Sequence, residues 1–232
     1  MSTVTVTPIR GIGEVVQGED LAMLICDAIV AQGDAVEDGD VLVVTHKVVS
    51  TQEGRVAVIE SEEAYRALVE DEAAEIIRRR GDLVITRTKH GFICANAAVD
   101  RSNVEAGRAV LLPVDPDRSA HRLRTLIEQR TGTTIGLVIT DTFGRPWRRG
   151  LVDVAIGVSG VQAIADYRGT FDTHGNELVV TEVAVVDEIA AAADLVMGKA
   201  TGVPAAIVRG LDVAGDGRAA DLVRPASEDL FR

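Results

Sequence analysis

The chain has 232 residues, of which 47% are hydrophobic and 26% charged, so it can form a sizeable folded core and is not a disordered polypeptide. It carries 24 basic and 36 acidic residues, a net charge of −12. This charge argues against a nucleic-acid-binding protein, because a phosphate backbone repels an acidic surface. Aromatic residues make up only 3%, so we expect a core of Val, Ile, Leu and Ala.

Nothing in the sequence predicts a membrane or export signal. No apolar run approaches the roughly 20 residues that span a bilayer. Residues 1–8 alternate between apolar and polar, like a strand, and lack the basic head and apolar run of a signal peptide. Cys26 and Cys94 lie in apolar stretches typical of buried thiols, although one disulfide remains an alternative. We therefore expect a cytoplasmic protein.

Hydrophobic spacing and terminal signals predict four helices. In chain order they are residues 21–29, ending near Gly33; residues from about 61 to 80, ending at Gly81; residues from Asp117 or Ser119 to just before Gly132; and residues 189–197, ending at Gly198. The second of these would carry three arginines in its last turn, where positive charge complements the helix dipole. No linker divides the chain, so we expect a single domain over residues 1–232.

A recurring apolar phrase that ends in Thr predicts strands between the helices. Its four copies are residues 42–45, 83–86, 137–140 and 178–181. Each copy is β-branched and apolar on both faces, as expected of a buried strand. Polar residues follow every copy, and polar groups at the ends of rigid strands are well placed to form a site.

The most informative stretch is residues 141–150. Asp141 and Thr142 directly follow the third apolar copy, and a turn with three arginines and Trp147 comes next. Carboxylate and hydroxyl oxygens suit Mg²⁺ or Mn²⁺, and arginines bind phosphate or carboxylate. The alternative is that Asp141 caps a turn and the arginines form a solvated loop.

Two further stretches have both a functional and a structural interpretation. Residues 100–103 contain a second carboxylate, Asp100, and an amide, Asn103, but they also fit an ordinary Asx turn. Residues 10–15 contain paired glycines, which let backbone N–H groups approach a ligand, or which form a simple turn.

His46 and His90 follow strands, but no histidine is spaced as a zinc site requires. The chain has neither a dinucleotide fingerprint nor a P-loop, so a nucleotide would need a less common scaffold.

Taken together, these segments resemble the coenzyme F-420-0:L-glutamate ligase (gamma-glutamyl ligase) family. The matching phrases are residues 8–14, 39–50, 53–55, 100–103, 111–117, 140–145 and 197–199. The resemblance runs over nearly the whole chain. It implies an α+β fold of mixed, largely antiparallel sheets with packed helices, in a two-lobed protomer that forms an intertwined homodimer.

The resemblance also implies an activity: GTP phosphorylates the terminal carboxylate of F-420-0, and L-glutamate displaces phosphate from the acyl phosphate. Implied cofactors are Mg²⁺ or Mn²⁺, two ions per site, with K⁺ as a further candidate. The implied metal ligands are Asp100, Asp141 and Thr142. The implied GTP contacts are Ile12, Gly13, Glu14, Val15, His46 and Asn103, to which we add Lys47 for its charge and position. No catalytic acid or base is assigned.

Two departures from the family pattern widen the functional alternatives. Thr51 stands where the family commonly has a nucleotide-contacting Lys, and Lys199 stands where some members have a metal-binding Gln. A ligase that uses another carboxylate or nucleotide, and a non-catalytic deazaflavin-binding protein, therefore remain alternatives. We expect no C-terminal nitroreductase-like domain of the kind that some relatives carry, and therefore tails of one or two glutamates. We also expect residues 145–149 and Lys47 to form a local positive patch.

Overall fold

The computed structural model describes residues 3–102 and 104–230, which form five α-helices, twelve strands and short 3-10 turns. The helices are α1 (Leu21–Ala31), α2 (His46–Gln52), α3 (Glu62–Glu72), α4 (Pro116–Thr131) and α5 (Val185–Met197). The strands are β1 (Thr5–Ile9), β2 (Val41–Thr45), β3 (Val56–Val58), β4 (Ala73–Arg80), β5 (Leu83–Thr88), β6 (Ile93–Ala95), β7 (Arg108–Val110), β8 (Gly136–Gly144), β9 (Leu151–Ser159), β10 (Ala165–Asp166), β11 (Glu182–Val183) and β12 (Ala205–Arg209).

A five-stranded sheet with the order β1-β12-β2-β8-β9 forms the centre of the fold. All neighbouring strands are antiparallel except β2 and β8, which are parallel. Helices α1 and α4 cover one face of the sheet and α5 covers the other, so β2 and β8 are apolar on both faces, as predicted. Gly157 permits the close approach of α4, because a Cβ there would lie 2.4 Å from the Pro116 carbonyl oxygen.

Three smaller sheets complete the structure: β4-β5-β6, β3-β7 and β10-β11, all antiparallel. A third apolar cluster packs α3 against the segment that follows β6, through Val69, Ala97 and Val99. The architecture confirms the predicted α+β class with mixed, largely antiparallel sheets.

The predicted helix over residues 61–80 is wrong in its second half. Helix α3 ends at Glu72, and residues 73–80 form β4, which pairs with β5 across a turn at Gly81. Val69 is the only buried residue of α3, so little apolar surface favours a longer helix. Pairing with β5 satisfies the backbone instead and places Arg87 3.0 Å from Glu75. The three arginines therefore lie on a strand, and the helix-dipole argument does not apply to them.

The predicted strand at residues 178–181 is also wrong. Val179 and Val180 are 70% and 85% exposed, and the flanking strands β10 and β11 have only two residues each. An apolar run becomes a buried strand only where other elements cover it, and none in the described chain covers this one. The copy at 83–86 does form β5, but its buried side chains alternate with exposed or partly exposed ones, so only one face of that strand is fully buried.

The other helix predictions are confirmed within a few residues. Asp115 caps α4, accepting a hydrogen bond from the Arg118 N–H at 3.0 Å, and Gly132 ends that helix with φ +75°. Helix α2 was not predicted, since its seven residues follow β2 without a break.

Both cysteines are free thiols. Across the described residues, no helix has the length and apolarity needed to cross a membrane. The cytoplasmic location stays a prediction.

Candidate functional site

A cavity of about 640 Å³ opens where the parallel strands β2 and β8 end. It lies between the loop after β1, the start of α2, and the turn after α5. Its acidic side chains outnumber its basic ones. The acidic ones are Glu14, Glu105, Asp141, Asp153 and Asp194, and the basic ones are Lys47, Arg108 and Lys199. The cavity is large enough for a nucleotide-sized ligand.

Asp141 and Thr142 reach the cavity from within β8, not from a turn after it, which corrects the predicted strand end. The register between β8 and β9 shifts between Ile139 and Thr140, directly before these two residues. Such a bulge redirects the side chains that follow it. It places Thr142 opposite Asp153 of β9.

A buried histidine lies behind the Asp141 carboxylate. His46 is fully buried at the start of α2, and its Nε2 lies 3.3 Å from Asp141 Oδ1 without hydrogen-bond geometry. Its Nδ1 lies 3.4 Å from Ser50 Oγ. Asp141 Oδ1 also accepts the N–H of Thr142 at 2.7 Å. His46 is not among the cavity-lining residues, so the structure places this predicted GTP contact behind Asp141.

The glycine-containing loop after β1 lines the cavity along residues 12–17. Ile12 and Val15 are buried, and Gly13 and Glu14 are exposed. In the described part of the chain, the N–H groups of Gly13, Glu14 and Val15 have no protein partner. Backbone N–H groups of this kind can bind phosphate oxygens. All four predicted loop residues therefore reach the same cavity as Asp141.

Lys47 joins the cavity to the turn at Asp100. Its Nζ lies 2.8 Å from Asp100 Oδ2 and donates to the carbonyl and hydroxyl oxygens of Ser102 at 3.0 and 2.7 Å. Burial alone would raise the pKa of Asp100, but hydrogen bonds from Lys47 and Ser102 lower it below its usual value. Asp100 itself is not among the lining residues. The remaining predicted contact of this turn, Asn103, lies outside the described residues.

A chain of hydrogen bonds crosses the floor of the cavity. Lys199 Nζ donates to Thr142 Oγ1, Thr142 Oγ1 donates to Asp153 Oδ1 at 2.5 Å, and Thr140 Oγ1 donates to Asp153 Oδ2 at 3.0 Å. Asp153 is only 5% exposed. Sequence reasoning missed Asp153, although a charged residue inside the apolar strand β9 was a usable signal. It also missed Asp194 and Arg108, which only the tertiary structure brings to the cavity.

The expected positive patch at residues 145–149 does not form part of this cavity. Those residues lie in the turn between β8 and β9, and the Arg145 guanidinium donates hydrogen bonds to the carbonyl oxygens of Arg149 and Gly150. Trp147 is 83% exposed in that turn, with φ +58°. Lys47 lines the cavity without them.

His90 has no hydrogen bond to Asp141 or to Asp100 in the described chain. Its Nε2 lies 2.9 Å from the Pro113 carbonyl oxygen.

The donor set suits a divalent cation that also binds a ligand's oxygens. Among the described residues, no three His, Cys, Asp or Glu side chains converge closely enough to hold a metal ion alone. Mg²⁺ typically takes one or two carboxylates together with substrate phosphates. Asp141 fits this role, since its side chain is 12% exposed and, among the residues that the structure describes, faces no ammonium group at salt-bridge distance. Asp100 and Thr142 are instead engaged by Lys47 and Lys199.

The sequence profile of the F-420-0:gamma-glutamyl ligase family matches residues 11–210. The chain belongs to this family. The coenzyme F-420:L-glutamate ligase of Methanocaldococcus jannaschii is 44% identical over 215 residues, covering 85% of this chain and 86% of that protein. The enzyme of the same name from Methanothermobacter thermautotrophicus is 42% identical over an alignment of 244 residues, covering 97% of each chain. That of Archaeoglobus fulgidus is 43% identical over 246, covering 99% of this chain and 96% of that one.

Membership of the gamma-glutamyl ligase family confirms the resemblance and the class of enzyme, a ligase that forms an amide bond. The match at 11–210 includes the loop after β1, the start of α2 and the turn after α5. The family profile therefore covers every residue that lines the cavity.

Proposed function

We propose that this chain is a GTP-dependent ligase that attaches L-glutamate to the terminal carboxylate of F-420-0. Family membership supports F-420-0 and glutamate as the substrates. The observation that carries the proposal is the cavity, which brings together residues 12–15, Lys47, Asp141 and Thr142 from separate segments of the chain. Backbone N–H groups, a cation and a carboxylate are the groups that hold a metal-bound nucleoside triphosphate.

The charge of the cavity explains why a metal ion would be needed. GTP is strongly anionic, and the cavity has more acidic than basic side chains, so the nucleotide would be repelled without an added cation. Asp141 would hold Mg²⁺ or Mn²⁺, which when bound neutralises charge on the phosphate oxygens. Lys47 and the loop N–H groups would hold and orient the phosphates. A second divalent ion and K⁺ are the further cations implied by the resemblance.

The proposed chemistry has two balanced steps. A carboxylate oxygen of F-420-0 attacks the γ-phosphorus, and the bond from that phosphorus to the β–γ bridging oxygen breaks, giving an acyl phosphate and GDP. The neutral amine nitrogen of glutamate then attacks the acyl carbon, the bond from that carbon to the phosphate oxygen breaks, inorganic phosphate leaves, and the nitrogen loses a proton to solvent. The protein contributes mainly by holding the reacting groups in line, which removes much of the entropic barrier.

Exposed apolar side chains support a homodimer. Phe171, Val179 and Val180, between β10 and β11, are 67%, 70% and 85% exposed, and Leu151 beside the β8–β9 turn is 64% exposed. Exposed apolar side chains concentrated in one surface segment mark a protein–protein contact surface in many proteins. A second copy of the chain is the partner implied by the resemblance. Sedimentation would give a dimer mass, and a monomer at micromolar concentration would contradict this part of the proposal.

One assay tests the function. The purified protein is incubated with F-420-0, L-glutamate, GTP and Mg²⁺ or Mn²⁺, with and without K⁺, and the products are analysed by mass spectrometry. We expect one or two glutamyl units added, one GDP per unit, and no product when any component is omitted. No mass gain with either metal would overturn the proposal. Product formation only with another carboxylate or nucleotide would favour a ligase of different specificity. Binding of F-420-0 without formation of GDP would favour a non-catalytic binding protein.

A further inference from the structure

Lys199 is held at the cavity by the end of α5. Gly198 ends the helix with φ +61°, and its N–H donates to the Asp194 carbonyl oxygen at 2.8 Å. A turn closes behind it, where the Thr201 hydroxyl donates to the Met197 carbonyl oxygen. Lys199 lines the cavity, and its ammonium group donates to Thr142 Oγ1. The position of this cation therefore follows from the helix end and not from a long unrestrained loop.

The hydroxyl that Lys199 contacts is already committed to a buried carboxylate. A threonine hydroxyl has one proton and two lone pairs. Thr142 gives its proton to Asp153 Oδ1, at 2.5 Å, and accepts from Lys199 with a lone pair. Asp153 is 5% exposed and receives its second hydrogen bond from Thr140, a neutral group. A nearly buried carboxylate needs positive charge nearby, and Lys199 supplies it through Thr142.

A second carboxylate strengthens this local demand for a cation. Asp194 lies in the last turn of α5 and lines the same part of the cavity. Its pKa is raised by burial and by the neighbouring Asp153, while Lys199 acts in the opposite direction. The Lys199 ammonium thus contacts one hydroxyl, and two carboxylates lie near that contact: Asp153 accepts from the same hydroxyl, and the charge of Lys199 acts on Asp194. These are hard oxygen donors that would otherwise attract a small divalent cation.

We propose that Lys199 is a built-in cation that takes the place of a second divalent ion beside Thr142. On this proposal, which rests on the proposed function, the protein binds GTP with one divalent cation per chain, held at Asp141. A divalent ion bound to Thr142 Oγ1 would lie within a few ångströms of the ammonium group. Two positive charges that close repel each other strongly, so the two occupants are mutually exclusive.

The other predicted metal ligands agree with a single ion. Asp100 already has Lys47 Nζ at 2.8 Å, whereas the partners of Asp141 within the site are His46 and its own neighbouring N–H. Asp141 is therefore the one predicted ligand, among those in the described chain, that no lysine engages. A strongly hydrated lysine ammonium also suits this location, since its three donors can contact solvent and a phosphate oxygen together.

Counting bound Mn²⁺ tests the inference without measuring turnover. The protein, saturated with a β,γ-imido analogue of GTP, is dialysed against Mn²⁺, and the nucleotide-dependent bound ion is measured by electron paramagnetic resonance. We expect one Mn²⁺ per chain in the natural protein, two in Lys199→Gln, and one in Lys199→Arg, which keeps the charge. Lys89→Gln is the matched control, because Lys89 is exposed and lies outside the cavity, and it should also give one.

The outcomes separate the two proposals. Two Mn²⁺ ions in the natural protein, or one in Lys199→Gln, would overturn the role of Lys199 and leave the ligase proposal standing. No nucleotide-dependent Mn²⁺ in any variant, together with no glutamyl product in the mass-spectrometric assay, would overturn the proposed function and this inference with it. Thermal unfolding of each variant confirms that the fold is unchanged, as expected for substitutions at exposed lysines.

Discussion

Carboxylates lie near both ends of strand β2, but the two ends differ in the hydrogen-bond partners that these carboxylates have. At the first end, Asp40 is fully buried, and Arg209 binds both of its oxygens, with Nε at 2.7 Å and Nη2 at 2.8 Å. The Glu37 N–H supplies a third hydrogen bond at 2.8 Å. At the other end, the Asp141 carboxylate lies near a histidine nitrogen that has no hydrogen-bond partner in the described chain, and Asp153 is held by two hydroxyl groups.

The difference separates structure from function. A bidentate pair that is fully hydrogen-bonded has no capacity left for a ligand, and it fastens the loop before β2 to β12. The cavity end keeps more negative than positive side chains facing open space, which stabilises nothing by itself but attracts cations. The acidity of the whole chain therefore continues into the cavity, contrary to the expected patch of arginines, and an anionic substrate would enter with its cation.

The largest expected effect is on catalysis, at the cavity end. Asp141→Asn removes the carboxylate that would hold the metal, and a bound metal contributes several kcal/mol to stabilising the transition state. We therefore expect kcat to fall by about a thousandfold or more. Steady-state rates of GDP release measure this change. Asp212→Asn, at an exposed position outside the cavity, is the matched control and should retain full activity. Near-normal turnover in Asp141→Asn would remove Asp141 from the metal site.

The next effect is on stability, at the opposite end. Arg209→Met leaves Asp40 buried without its partner, so we expect the free energy of unfolding to fall by about 3–5 kcal/mol. Guanidinium unfolding measures the loss. Arg168→Met breaks an exposed pair with Asp166 and should leave the free energy of unfolding almost unchanged, because solvent screens a pair at the surface. A loss at Arg209 as small as that at Arg168 would mean that the two ends of β2 do not differ as described.

Two neighbouring strands of the central sheet and one wall of the cavity could be predicted from local sequence. The phrases at 42–45 and 137–140 are apolar on both faces, which requires cover on both sides, and they form β2 and β8. Because these strands are parallel, with Thr45 in register with Thr140, the polar residues that follow the two apolar phrases meet at one edge. That is why Lys47, Asp141 and Thr142 lie together as their positions implied.

The remaining features depend on partners that local sequence does not name. Residues 73–80 are compatible with either helix or strand, and pairing with β5 decides between them. The run at 178–181 has the composition of a buried strand, but the described chain offers no element to cover it. Asp153 and Lys199 become neighbours of Thr142 only through strand pairing and the placement of α5.

The smallest effect tests whether the cavity keeps its negative charge at the expense of folding. The pKa of Asp194 is raised above its unfolded value by burial and by Asp153, against the influence of Lys199. The folded state therefore favours the protonated form, and stability is lost as the pH rises from the unfolded pKa through the folded one. Asp194→Asn should raise the free energy of unfolding at pH 7, by less than about 1 kcal/mol because the group is only partly buried.

The pH dependence of that gain supplies its control. The difference between Asp194→Asn and the natural protein should vanish well below the unfolded pKa of Asp, about 3.9, where both proteins carry a neutral group at this position. Asp166 has the opposite shift, since hydrogen bonds from Arg168 lower its pKa to about 2, so Asp166→Asn should lose stability at pH 7 and regain parity only near that lower pH. If both variants shifted the unfolding midpoint in the same direction at pH 7, the cavity would hold its carboxylates no differently from the surface. Opposite signs would mean that folding tolerates an unfavourable charge at the place where we propose that a cation binds.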